Sequence, residues 1–173
     1  MRRIVTWTAI TLALAAGCGK DDGPAGPGGG GGSSAMSATI DGSSWASAAT
    51  PGAAHAVRGG AFIAVAGSSQ SLRVVAFTIP NVMEPGTHEL VPPLNAQVQD
   101  NIGDAMWMTG TSGATGTVTV TSISAERITG TFSFTATAVP GTAATGTLVV
   151  TNGKFDVRFV TAGAAVVGSD VAH

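Results

Sequence analysis

The chain is poor in the residues that usually announce chemistry. Its 173 residues include one Cys, three His and no Tyr, and only 10% are charged and 5% aromatic. A single Cys cannot close an internal disulfide, so this is not a small disulfide-stapled scaffold. Eight Lys and Arg against ten Asp and Glu leave a formal charge of −2, which gives no basic footprint for nucleic acid. A charge this low, beside 44% hydrophobic residues, is not that of a disordered polyelectrolyte. Leu, Glu and Lys are few, whereas there are 25 Gly and 22 Thr. That balance argues against a helical bundle. The length suits one domain.

What is present begins with a targeting pattern. Arg2 and Arg3 precede an apolar stretch from Ile4 to Ala16, which falls short of the roughly 20 residues a spanning helix needs. The stretch runs into Leu14-Ala15-Ala16-Gly17-Cys18. That ending resembles the lipobox of bacterial lipoproteins, in which small residues precede a Cys that is acylated and becomes the mature N-terminus. Ala15 stands where a large aliphatic is favoured, and Leu14 lies one step earlier. The expectation is a signal peptide over 1–18, acylation of Cys18, and location in the cell envelope, on the outer membrane. Loss of Arg2 and Arg3 would take the charge to −4. The membrane partner would then be held by lipid and not by the domain's charge. Residues 19–34, half of them Gly, cannot bury a core and read as a flexible tether with a reach of about 20–24 Å.

From residue 35 to 160 apolar residues alternate with Thr and Ser, and turn residues recur every ten to sixteen positions. Strands are expected near 36–41, 44–49, 54–58, 61–66, 71–79, 86–91, 105–110, 115–122, 128–138, 144–151 and 154–160. The segment 84–104, with Pro85, Pro92 and Pro93, reads as loop or at best an edge strand. Parity sets the register of one pair: Val118 opposite Phe132 and Val120 opposite Gly130 bring all four to one face. Asn152-Gly153 is a preferred type I′ dipeptide, and a hairpin there would pair Val150 with Phe155 and Leu148 with Val157. The repeated Thr-Gly-Thr at 115–117, 129–131 and 145–147 suggests successive strands of a meander. The expected fold is all-β: an antiparallel two-sheet sandwich or flattened barrel with a C-terminal meander. Residues 161–173 read as an edge strand or frayed tail.

Several stretches together resemble a family of small bacterial lipoproteins of uncharacterised function. They are Ile40-Asp41-Gly42-Ser43-Ser44-Trp45, Pro85-Gly86-Thr87-His88-Glu89-Leu90, Ile128-Thr129-Gly130-Thr131-Phe132-Ser133-Phe134 and Thr151-Asn152-Gly153-Lys154-Phe155. The resemblance spans about residues 36–159. It implies an envelope-anchored β domain and brings no activity or catalytic residue with it. His88 stands where the family more often has Tyr.

Candidate sites are sparse. Trp45 either closes one end of the core, with its indole N–H on a backbone carbonyl, or offers a stacking platform. Met106-Trp107-Met108 places two thioethers on one strand face and Trp107 on the other. Packing is the expected role, although paired Met can hold a soft metal. His88 and Glu89 point to opposite faces. Asp100 and Asp104 flank a Gly, as in some calcium loops, but lack the closing carboxylate of an EF-hand. No Gly-x-Ser-x-Gly elbow and no phosphate loop is present. Trp45, His88 and Trp107 are the possible ligand contacts, with no catalytic residue and no cofactor expected. The functional expectation is a monomeric, non-enzymatic binding or structural module with an unidentified envelope partner. The alternatives are a calycin-like carrier of a small apolar ligand and a hydrolase using the acidic loop.

Overall fold

The computed structural model describes residues 33–110 and 113–160. The expected leader, most of the tether, the acylation at Cys18 and the tail 161–173 lie outside the described residues. Among those described there is no helix. Eleven strands form the fold: β1 Ala35–Ile40, β2 Ser43–Ala46, β3 Ala54–Gly59, β4 Phe62–Ser68, β5 Arg73–Pro80, β6 Gly86–Glu89, β7 Ala96–Asp100, β8 Ala105–Met108, β9 Gly116–Ile123, β10 Arg127–Ala138 and β11 Thr147–Val160.

The hydrogen-bonded order is β2-β1-β11-β3-β4-β5-β7-β8-β10-β9-β6, and β10 also pairs with β11. The extra pairing closes a circuit of seven strands, β11-β3-β4-β5-β7-β8-β10. Two short seams complete it: a parallel one at Phe159–Ala56 and Val160–Val57, and an antiparallel one at Thr137–Met108 and Ala138–Trp107. Elsewhere the circuit is flattened into two layers. One is the six-stranded run β2-β1-β11-β10-β9-β6; the other is β3-β4-β5-β7-β8. The chain is therefore all-β, one large mixed and mostly antiparallel sheet closed on itself.

Alternation builds the core. Ile63 and Val65, Val75, Phe77 and Ile79, and Ala96 and Val98 line the inner face of the five-stranded layer. Val118 and Val120, Ile128, Phe132, Phe134, Val150 and Phe155 line the other. The layers meet through rings: the Phe77 centroid lies 5.2 Å from those of both Phe132 and Phe155. Such tilted and edge-on contacts add to the stabilisation from buried apolar area.

The β9–β10 register is the one parity demands. Val118 faces Phe132 and Val120 faces Gly130, with a shift beyond Gly130 where β9 carries one extra residue, Thr121. The expected hairpin at Asn152-Gly153 does not form. Residues 147–160 are one strand, paired with β10 along nearly its whole length, and the extra residue near Asn152 is a bulge. Asn152 takes the left-handed conformation there, at φ 53°, which Asn tolerates. A bulge switches the inward parity from even to odd, as a two-residue turn does, so Leu148, Val150, Phe155 and Val157 are all buried without the chain reversing. A true Asp-Gly hairpin joins β1 to β2. Asp41 and Gly42 both have positive φ. The Asp41 backbone N–H donates to Val149 O at 2.9 Å, and its Oδ1 accepts the Val149 N–H at 2.8 Å.

The segment 84–104 also differs from expectation. β6 is an edge strand on β9, but β7 is a central strand between β5 and β8. Ala96 and Val98 point inward while Gln97 and Gln99 face outward.

Candidate functional site

Three cross-strand Gly–Phe pairs shape the six-stranded layer: Gly130 with Phe155, Gly153 with Phe132, and Gly116 with Phe134. A Cβ on Gly130 would lie 2.6 Å from Phe155 Cζ, and one on Gly153 would lie 2.6 Å from Phe132 Cε2. At Gly130 and Gly153 the ring occupies the space that a side chain on its partner would need, whereas at Gly116 that space is taken by Phe134 Cβ, Ser133 O and Leu90 Cδ1. The inward volume is thus taken by rings lying across the strands, which brings Phe132 and Phe155 against Phe77.

With the middle of the interior filled, concavity appears on the outside. Two open hollows, of about 440 and 660 Å³, lie on the outer face of β9, β10 and β11. Both include Thr117, Ser133 and Thr151, so they form one groove beside the β11 bulge. Glu89 and Val149 line one end; Thr119, Thr131 and Lys154 line the other. A bulge bends its strand and raises the local twist, and the groove sits at that bend. Most of its lining surface is apolar, and Thr and Ser hydroxyls supply most of its polar side chains. Next to it, Thr87 Oγ1 lies 3.0 Å from Thr119 Oγ1, and Thr121 Oγ1 lies 3.2 Å from Thr129 Oγ1. Thr87 and Thr119 stand directly opposite each other, whereas Thr121 is the bulged residue of β9 and reaches Thr129 from beside its register partner Ser122.

The residues singled out in the sequence are placed elsewhere. Trp45 is 7% exposed, and its Nε1–H donates to Arg73 O at 3.3 Å across the two layers. A Cβ on Gly67 would lie 3.1 Å from its Cη2. The ring is packing, with little face left for a ligand. Trp107 points inward opposite Val98 and donates from Nε1 to Thr145 O at 3.2 Å; Met106 and Met108 occupy the outer face. His88 stands opposite Val118 on edge strand β6, its Nε2 buried without a hydrogen-bond partner among the described residues, while Glu89 is exposed opposite Thr117. Only Glu89 of these reaches the groove.

The acidic loop is committed to structure. Arg73 Nη2 lies 3.0 Å from Asp100 Oδ2, and the Ile102 N–H donates to Asp100 Oδ1 at 3.2 Å. The Arg73 hydrogen bond holds the Asp100 carboxyl below its ordinary value, against a small opposing effect of burial. Asp104 lies in the β7–β8 turn with positive φ. No three His, Cys, Asp or Glu gather where they could hold a metal ion among the described residues.

Sequence reasoning missed the groove because none of its residues is chemically unusual. The signal lay in parity: Thr117, Thr119, Thr131 and Ser133 form the outward half of the two strands whose register was legible.

Residues 32–157 match a domain of unknown function, DUF6252. The chain belongs to the DUF6252 family. No curated protein and no solved structure matches it. The motifs quoted above acquire a physical meaning in this DUF6252 domain. Ile40 and Trp45 enter the core, and Asp41-Gly42 turns the first hairpin and caps β11. Leu90 is buried. Gly130 with Phe155 and Phe132 with Gly153 supply the ring-over-glycine pairs, Asn152 lies at the bulge, and Phe134 enters the core. These positions help specify the fold of this chain, and the groove lies over their outward-facing neighbours.

Proposed function

We propose that the protein is an envelope lipoprotein, acylated at Cys18 and held on the outer membrane. Its β domain acts as a non-enzymatic module that binds an uncharged, hydrogen-bonding ligand along the outer groove. The observation that carries this reading is the contrast between a ring-filled interior and an outer groove whose polar side chains are mostly Thr and Ser hydroxyls. Phe77 packed against Phe132 and Phe155 offers a carrier no chamber at the centre of the barrel. The groove has one carboxylate, Glu89, and one amine, Lys154, in its two separate ends. A hydrolytic site needs at least two polar groups converging on a reacting atom, and the acidic loop meets Arg73 instead. Thr and Ser hydroxyls both donate and accept, which suits a neutral polar chain such as a glycan of the envelope.

Two measurements test this. Wild-type protein should carry acyl chains by mass spectrometry and pellet with membranes, whereas Cys18→Ser should be soluble; unchanged pelleting of the variant refutes the anchor. Retention on immobilised neutral envelope glycan should fall at least about tenfold when Thr117→Lys and Ser133→Lys together place two long, charged side chains in the groove. Equal retention refutes the binding face.

A further inference from the structure

The seven large hydrophobic side chains exposed among the described residues are not scattered evenly. Three, Phe62, Met83 and Val160, lie at one end of the domain, at 39%, 73% and 41% exposure. They surround Arg58. Its Nη1 donates to Asn81 Oδ1 at 2.8 Å and lies 3.1 Å from Met83 Sδ, and its guanidinium carbon stands 4.4 Å from the centre of the Phe159 ring. Phe62 faces Gly59, the residue after Arg58, and Val160 faces Val57, the residue before it. Arg58 therefore joins two chain segments and the C-terminal end of β11 under a common apolar rim.

The N-terminal segment reaches the domain at this same end. Ser33 O accepts from Arg127 Nη2 at 3.3 Å, and Ser34 Oγ accepts the Arg158 N–H at 2.9 Å, one residue before Phe159. Were the sixteen residues between Cys18 and Ala35 the tether their composition suggests, with a reach of about 20–24 Å, this end would stay within tether length of any surface holding Cys18. Its charges balance: Arg58, Arg127 and Arg158 stand against Glu84, Glu126 and Asp156. Asp156 is already paired with Arg127. Anionic headgroups would not repel it.

We infer that this end docks onto the phospholipid surface, with Phe62, Met83 and Val160 entering the headgroup region. The inference rests on the anchor proposed at Cys18. Docking would direct the opposite tip, where Leu72 and Ile102 project from the β4–β5 and β7–β8 turns, away from the bilayer. A side chain of moderate size at an interface contributes in proportion to the apolar area it buries there, and a tether adds the effective concentration that makes weak contacts count.

The test uses full-length acylated protein in vesicles of phosphatidylethanolamine and phosphatidylglycerol. With Cys18 acylated, Ala61→Cys at the proximal end and Asn101→Cys at the distal end each supply a single free thiol for a fluorophore. Lipids carrying a quencher in the headgroup region should quench the label at residue 61 about twofold more than that at residue 101. Adding Phe62→Ser and Met83→Ser should abolish the difference while the protein still floats with the vesicles. Equal quenching at the two sites, or stronger quenching at residue 101, with co-flotation intact, overturns the docking and leaves the anchor standing. Failure to co-float overturns the anchor, and the docking with it.

Discussion

The two layers of the domain differ in regularity. In β3-β4-β5-β7-β8 every ladder keeps a single register from end to end. Its outward rows are small or uncharged, such as Ala66, Ala76, Gln97 and Met108 across four strands. The six-stranded layer carries both bulges, at Thr121 and near Asn152, and all three Gly–Phe pairs. Its outward rows are Thr, Ser and charge, and it bears the groove. The regular layer keeps its registers unbroken, and the irregular one carries the bulges beside which the groove lies. Bulges are placed where a sheet must curve or re-aim side chains, so irregularity and candidate site coincide for a physical reason.

Substitutions can break or sharpen that contrast. The largest effect is expected from Phe77→Ala, which removes the only ring the regular layer places against Phe132 and Phe155. It should lower stability by about 4 kcal/mol in urea titration. Gly153→Ala should follow at about 3 kcal/mol, because the added methyl meets both the Phe132 ring and its backbone oxygen. Gly59→Ala in the regular layer meets nothing within 4 Å and should stay within about 0.5 kcal/mol of wild type. Equal costs for the two glycines would dissolve the distinction between layers. At the bulge, Asn152→Val should cost about 1.5 kcal/mol, since a β-branched residue resists positive φ, whereas Asn152→Gly should be nearly neutral.

Among the substitutions expected to destabilise, the smallest effect belongs to Asp100→Asn, about 0.5 kcal/mol at neutral pH for a partly exposed pair. The folded carboxyl is held below its unfolded value. The stabilisation is therefore full above that unfolded value and lost as the pH falls through the folded one. The two proteins should converge in stability once the pH has fallen below the lowered folded value. A gap that persists there would assign the effect to the Ile102 turn and not to charge.

Much of this was legible in the sequence, and the failures are informative. The β9–β10 register followed from parity because both strands bury one face. Asp41-Gly42 and Asn152-Gly153 carry the same turn signal, yet only the first reverses the chain. Parity cannot separate the two outcomes, since a bulge and a two-residue turn shift it alike. The distinguishing clue is non-local: from Ile128 to Ala136 the inward positions of β10 keep even parity without a break, and so long a strand needs an equally long partner. β7 went unread because Pro92 and Pro93 dominate their surroundings, although Ala96, Gln97, Val98 and Gln99 alternate cleanly. The groove was invisible for a different reason. It arises from curvature, and hydroxyl-bearing residues on an outward face look alike whether the sheet is flat or bent.

The placing of β11 has a consequence for how the molecule is made. It is the strand nearest the C-terminus among those described, and it touches β1, β3 and β10. Until it emerges, the first hairpin has no neighbour to lie against and the barrel stands open along its length. Such a late-arriving keystone keeps the barrel from locking until β11 is available to close it.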